Sequence, residues 1–71
     1  MKETRIKELR QQKNLTQVRL AIDLNISQNT LSRYETGERE PDCAMLKKIA
    51  AYFNVSIDYL LMETDNPNRN V

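Results

Sequence analysis

The sequence predicts an all-α domain built from five short helices. Apolar residues recur at helical spacing in separate stretches, good N-cap residues precede most of these stretches, and the single glycine, Gly37, follows the third. With 71 residues, 39% of them hydrophobic, the chain can build one modest core. We therefore expect one compact domain over residues 1–62 and a polar, disordered tail over residues 63–71.

The first two helices are predicted from narrow apolar stripes and their flanking residues. Ile6 and Leu9 form such a stripe among charged neighbours in residues 4–13, with Thr4 or an earlier residue as the start. Thr16 is a suitable N-cap for the second helix, and Asn25 tolerates the left-handed conformation expected at its end. The expected core residues of the second helix are Val18, Ala21, Ile22 and Leu24, with Leu20 beside them.

The remaining three helices have clear start signals. Ser27, Asp42 and Ser56 are the predicted N-caps, and Gly37 and Asn54 are the predicted ends of the third and fourth helices. The expected apolar residues of these helices are Leu31, Tyr34, Met45 or Leu46, Ile49, Ala50, Phe53, Ile57, Leu60 and Leu61.

Composition excludes several classes of function. The chain has no histidine and one cysteine, Cys43, so His-based catalytic triads, His-rich metal sites and an intrachain disulfide are excluded. We expect no enzymatic activity, no metal and no cofactor, and we expect Cys43 to be a small packing residue rather than a redox sensor. No apolar run approaches the roughly 18 residues of a membrane span. The N-terminus is charged from Lys2 onward and has no apolar segment typical of a signal peptide. These features predict a cytoplasmic protein without membrane contact.

One face of the third helix carries side chains suited to reading DNA. On a helical wheel, its polar residues fall within an arc of about 140°. Amide, hydroxyl and guanidinium groups at this spacing match the donors and acceptors of base edges in a major groove, although an ordinary solvated face would also be polar. These residues are Gln28, Asn29, Ser32, Arg33 and Thr36.

The distribution of charge predicts weak binding by a single copy. The net charge is +1, and residues 1–13 carry five bases and two acids, whereas residues 14–41 carry three bases and four acids. The first helix is therefore the expected basic side. Because phosphate neutralisation dominates non-specific affinity, we expect this chain to gain affinity for double-stranded DNA by pairing.

Six sequence patterns, in order, resemble the phage-repressor-type helix-turn-helix DNA-binding domains, the Xre or Cro/C1 family. The resemblance covers about residues 5–62 and implies a repressor-like five-helix fold, with the helix-turn-helix at helices two and three. It also implies sequence-specific operator binding. The patterns are IKELR at 6–10, LTQ at 15–17, LA at 20–21, LSRYETG at 31–37, REP at 39–41 and FNVSIDYLL at 53–61.

The resemblance also implies roles for individual residues. Gln28, Asn29 and Arg33 align with base-reading positions, and Gln17 aligns with a glutamine that touches a phosphate and braces the next helix. Arg39 is the loop residue expected to reach a phosphate, while the neighbouring glutamates are expected to be solvated. The other residues expected beside the DNA backbone are Thr16, Ser27, Thr30 and Thr36.

Arg10 and Glu35 align with a partly buried ion pair that supports the DNA surface in several family members. The alternative is two independent surface charges, but a charge at the rim of the core is costly without a partner. Asn14 and Asn25 depart from the family pattern, because glycine is usual at both positions.

The last two helices carry more apolar surface than a lone domain needs. Tyr52, Tyr59, Leu61 and Met62 could complete the core, but we expect them to form a homodimer interface. The sequence therefore predicts a dimeric transcriptional regulator on a pseudo-palindromic operator, with repression as the default because a bound dimer obstructs polymerase. The alternative is an antitoxin-like module that binds an unknown protein partner through these helices and DNA secondarily.

Overall fold

The computed structural model of this chain describes residues 4–68, which fold into the five helices that the sequence predicts. The all-α fold class is thus confirmed. Two sets of residues that entered the predictions lie outside the described residues. They are Lys2 and Glu3, which were counted in the charge of residues 1–13, and residues 69–71 of the predicted tail. No helix within residues 4–68 has the length and apolar character needed to cross a membrane. The helices are α1 (Ile6–Gln12), α2 (Gln17–Leu24), α3 (Gln28–Thr36), α4 (Cys43–Phe53) and α5 (Ile57–Leu60).

Side-chain caps start four of these helices where the sequence predicts them. Thr16, Ser27, Asp42 and Ser56 each accept a hydrogen bond of 2.8–3.0 Å from the backbone N–H three residues on. These bonds satisfy donors that have no partner within the helix. In α1 the N-cap position is held by Arg5, whose side chain makes no capping bond.

Left-handed residues end the three longest helices. Asn25, Gly37 and Asn54 have φ of 60°, 82° and 55° and follow α2, α3 and α4. Asn14, between α1 and α2, has φ of 57°. Asparagine at Asn14 and Asn25 therefore adopts the conformation that makes glycine usual at these family positions.

We expect Gly37→Val to lower the free energy of unfolding by more than about 1 kcal/mol, because a β-branched side chain clashes with the backbone at positive φ. Gly37→Asn is the matched control, since three asparagines of this chain already adopt this conformation. Denaturant unfolding should rank the asparagine variant close to wild type and the valine variant well below it. Equal losses in the two variants would contradict the assignment of strain to Cβ branching.

The core lies where all five helices meet. Each of the five helices contributes at least one fully buried side chain to it. Outside the helices, Pro41 and Val55, which flank α4, are also buried. Met45, Leu46, Ile57 and Tyr59 pack against it while partly buried. The buried hydrophobic residues are Ile6, Leu9, Leu20, Ala21, Leu24, Leu31, Tyr34, Ile49, Ala50, Phe53, Val55 and Leu60.

The predicted apolar stripe of α2 is wrong in part. Val18 and Ile22 are 49% and 64% exposed, whereas Leu20 is fully buried. On a helical wheel both residues lie about 160° from Leu20, so one helix cannot bury all three against the same neighbours. The packing role predicted for Cys43 is also wrong, because this residue is exposed at the start of α4.

Arg5 ties the start of α1 to the segment that follows α5. Its backbone N–H donates to the Leu60 carbonyl at 2.9 Å, and its guanidinium lies 4.3 Å from the centre of the Tyr59 ring. The same guanidinium pairs with Asp65 at 3.0 Å, and the Ser56 N–H donates to the Pro67 carbonyl. The disorder expected for residues 63–71 stays a prediction.

Candidate nucleic-acid interface

The candidate interface is built from α2, the turn over residues 25–27 and α3. Leu31 and Tyr34 bury one side of α3 in the core, and this fixes which side faces outward. The outward side carries the polar groups that the sequence analysis singled out. Its exposed members are Gln28, Asn29, Arg33 and Thr36, and Ser32 is half-buried at its edge.

A chain of hydrogen bonds links this face to the inside of the domain. Gln28 Nε2 donates to Gln17 Oε1 at 3.4 Å, and Gln17 Nε2 donates to Glu35 Oε1 at 2.9 Å. Glu35 in turn accepts two hydrogen bonds from Arg10, Nε to Oε2 at 2.7 Å and Nη2 to Oε1 at 3.2 Å. The first three helices are therefore joined through side-chain polar groups directly behind the outward face of α3.

The Arg10–Glu35 pair is shielded from solvent. The two side chains are only 12% and 3% exposed, and Arg10 Nη1 also donates to the Leu15 carbonyl at 2.8 Å. A bidentate arginine–carboxylate pair fixes the positions of both groups, and the low exposure strengthens their attraction. Glu35 is consequently a fixed acceptor that sets which end of the Gln17 amide points outward.

The hydroxyl groups at the start of the two helices already have partners. Thr16 and Ser27 cap α2 and α3, and Ser27 Oγ also donates to Thr30 Oγ1 at 2.8 Å. Their side chains therefore shape the helix N-termini, where free backbone N–H groups and the helix dipole favour an anion.

Arg33 has an acidic neighbour that the sequence analysis missed. Its Nε lies 3.8 Å from Glu38 Oε2, although Glu38 was expected to be merely solvated. The helical pattern gives no signal for this pair, because Glu38 lies beyond the left-handed Gly37. The chain reversal there also lets the Arg39 N–H donate to the Arg33 carbonyl, which accepts a second hydrogen bond from the Thr36 hydroxyl within α3.

The basic character expected of the first helix is reduced by internal pairing. Arg5 and Arg10 have side chains only 14% and 12% exposed, and both are held by acidic partners. Within residues 4–13, Lys7 and Lys13 are exposed. The exposed positive charges of this predicted basic side are therefore those of Lys7 and Lys13.

The four residues predicted to form a dimer interface differ in their surroundings. Tyr52 donates a hydrogen bond to Asp23 Oδ2 at 2.6 Å, and Tyr59 lies under the Arg5 guanidinium, so both have partners within the domain. Leu61 is half-buried, and Met62 is exposed in a groove that Thr36 also lines. The dimer interface stays a prediction, with Met62 as its most accessible member.

Comparison with known proteins gives consistent matches. Residues 6–60 match the helix-turn-helix family. The chain is 44% identical over 66 residues to the HTH-type transcriptional regulator ImmR of Bacillus subtilis, covering 93% of this chain and 52% of ImmR. It is 42% identical over 57 residues to the HTH-type transcriptional activator BcrR of Enterococcus faecalis, covering 80% of this chain and 28% of BcrR.

A third relative is the cryptic phage CTXphi transcriptional repressor RstR of Vibrio cholerae, 28% identical over 62 residues, which cover 87% of this chain and 56% of RstR. The chain thus spans about half the length of ImmR and RstR and less of BcrR. All three are named as transcription regulators, in agreement with the prediction that the chain is not an enzyme. No solved structure matches the chain significantly.

Proposed function

Because the chain belongs to the helix-turn-helix family, we propose that it is a sequence-specific regulator of transcription that inserts α3 into the major groove of double-stranded DNA. The observation that carries this proposal is the outward face of α3, where exposed amide and guanidinium groups stand on a rigid, internally paired support. Gln28, Asn29 and Arg33 are the base-reading residues in this proposal.

The chemistry of each group suggests its target. A guanidinium matches the two acceptors of a guanine edge, and a glutamine or asparagine amide matches the donor and acceptor of an adenine edge. Gln17 holds Gln28 by the 3.4 Å hydrogen bond, which leaves the Gln28 carbonyl oxygen and one N–H for a base.

Gln17 itself lies at the first position of α2, where the amide N–H that does not donate to Glu35 and the unpaired backbone N–H groups suit a phosphate. We assign the same role, contact with the DNA backbone, to Thr16, Ser27, Thr30, Thr36 and Arg39.

The proposal includes a homodimer on an operator with two-fold symmetry. A net charge of +1, with Arg5 and Arg10 paired internally, gives one copy little non-specific affinity. A dimer contact at Met62 would bring the C-terminal ends of the two α3 helices toward the symmetry axis, since Met62 and Thr36 line one groove. The domain measures 29 × 24 × 21 Å, so two touching copies can reach half-sites about 34 Å apart.

Repression is the proposed outcome of binding, because a dimer bound over a promoter blocks polymerase. One relative is named as a repressor and another as an activator, so the proposal rests on this steric argument. The protein would act in the cytoplasm, where it meets its operator. A reporter placed behind the selected operator should lose expression when the protein is produced.

Selection from a random DNA library tests the proposal, and we expect it to yield a symmetric site with half-sites about one helical turn apart. Inserting about 5 base pairs between the half-sites rotates one of them by half a turn and should abolish tight binding. Changing the sequence of the spacer without altering its length is the matched control, since it keeps both the separation and the relative orientation of the half-sites. Selection of no sequence would refute base reading, and indifference to the half-turn insertion would refute the symmetric dimer.

A further inference from the structure

Two side chains of α4 reach across to the end of α2, immediately before the turn that leads into α3. Lys48 Nζ donates to the Leu24 carbonyl at 2.6 Å, and Tyr52 Oη donates to Asp23 Oδ2 at 2.6 Å. Residues four apart lie one above the other on a helix face, so Lys48 and Tyr52 form one two-point contact. We call this pair of hydrogen bonds the α4 clamp.

The α4 clamp acts on groups that need partners. Leu24 is the last residue of α2, and its carbonyl is among those that the helix itself cannot satisfy. A cation at this place also complements the negative end of the helix dipole. The hydrogen bond to Asp23 raises the pKa of the Tyr52 hydroxyl above its ordinary value of 10.0, with smaller contributions from burial and from the charge of Asp23. The hydroxyl therefore stays a donor throughout the neutral range.

The clamp contributes orientation rather than burial. Leu20 and Leu24 of α2 and Ile49 and Phe53 of α4 already belong to the same buried core. Lys48 and Tyr52 act at the rim, where Asp23 is also held by Arg19 at 3.4 Å. Leu24, whose backbone carbonyl accepts from Lys48, lies four residues before the start of α3 at Gln28, and Asn25 reverses the chain between them.

We infer that Lys48 and Tyr52 are positioning residues that fix the turn between α2 and α3, and with it the direction in which α3 presents its base-reading side chains. This inference rests on the proposed function, although the two residues themselves contact the end of α2. It assigns Tyr52 a role within the domain in place of the predicted role at the dimer interface.

The decisive variant is Lys48→Met, with Lys47→Met as its matched control. Lys47 is an exposed neighbour on the same helix, and both changes remove one positive charge while keeping an unbranched stem. Operator affinity should fall about threefold to tenfold in Lys48→Met relative to Lys47→Met, the range that one ordinary intramolecular hydrogen bond supports. Tyr52→Phe, which keeps the ring against Phe53, should give a loss of similar size with an unchanged oligomeric state.

Salt dependence separates positioning from a direct phosphate contact. The slope of log Kd against log salt should be the same in Lys48→Met and Lys47→Met, because neither removes a phosphate contact. A slope lower by about 1 per half-site in Lys48→Met alone would show that Lys48 neutralises a phosphate, and this would overturn the inference.

Hydrogen exchange in the free protein gives a measurement that does not need DNA. We expect the amides of residues 25–27 to exchange faster in Lys48→Met and in Tyr52→Phe than in wild type or Lys47→Met. Unchanged exchange in both clamp variants would overturn the inference even if the wild-type protein binds its operator tightly. Faster exchange, in a protein for which no operator can be selected, would support the clamp and refute the proposed function instead.

Discussion

Replacing Arg10 with methionine is expected to lower the free energy of unfolding by about 3–5 kcal/mol. The change removes the guanidinium that holds both oxygens of Glu35 and leaves a carboxylate whose side chain is only 3% exposed. The amide of Gln17 remains as a donor, but one neutral hydrogen bond cannot offset the desolvation of a charge. Since small domains are stable by roughly 0.05–0.15 kcal/mol per residue, this loss is a large share of the free energy of unfolding.

Two further variants make this expectation specific. Arg19→Met breaks an ion pair with Asp23 in which the arginine side chain is 64% exposed, so it should cost at most about 1 kcal/mol. The double variant Arg10→Met/Glu35→Met removes both charges and should recover part of the loss, because apolar groups can replace a buried pair. Denaturant unfolding followed by circular dichroism measures all three. A cost for Arg10→Met no greater than that for Arg19→Met would contradict the role given to this pair.

The local features of the fold follow from short stretches of sequence. A threonine, serine or aspartate bonds to the backbone three residues on, and this requires nothing from distant parts of the chain. The N-caps at Thr16, Ser27, Asp42 and Ser56 could therefore be predicted. The same is true of Gly37, whose left-handed conformation depends on the backbone alone.

The apolar pattern of α2 could not be resolved in the same way. This helix has apolar residues on two sides, and its sequence does not state which side meets the other helices. Val18 and Ile22 look as suitable for a core as Leu20 until α3 and α4 are in place. Packing against the other helices, rather than the local sequence pattern, determines that Leu20 is buried and that Val18 and Ile22 are exposed.

The support of the candidate interface was only partly predictable. The resemblance to repressor domains placed Arg10 opposite Glu35, but it did not include the hydrogen bond to the Leu15 carbonyl. The two hydrogen bonds of the α4 clamp join pairs of residues that are 24 and 29 positions apart in the sequence. The contact of Arg5 with Tyr59 spans more than 50 positions. Such polar contacts depend on the angle at which helices pack, and no periodicity in the sequence encodes that angle.

Arg33→Ala is expected to cost about 1–3 kcal/mol per half-site and to remove the preference at one base pair. The guanidinium lies on the outward face of α3, and its pairing with Glu38 at 3.8 Å is exposed and weak enough to be exchanged for a base. On an operator with two half-sites the loss should occur twice, which makes it the largest effect on binding that we expect from one substitution in the protein. Binding profiles over a library of operator variants measure both the loss and the change in preference.

Arg39→Ala is the matched control, because it removes the same side chain from an exposed loop position that we assign to a phosphate. Every sequence presents the same phosphates, so this variant should weaken all sites almost equally and lower the salt dependence of binding. Gln17→Ala should likewise weaken all sites, with an added effect confined to the base read by Gln28, because the two amides are hydrogen-bonded. If Arg33→Ala weakened all sites equally while Arg39→Ala changed the preferred sequence, the loop rather than α3 would be reading the bases.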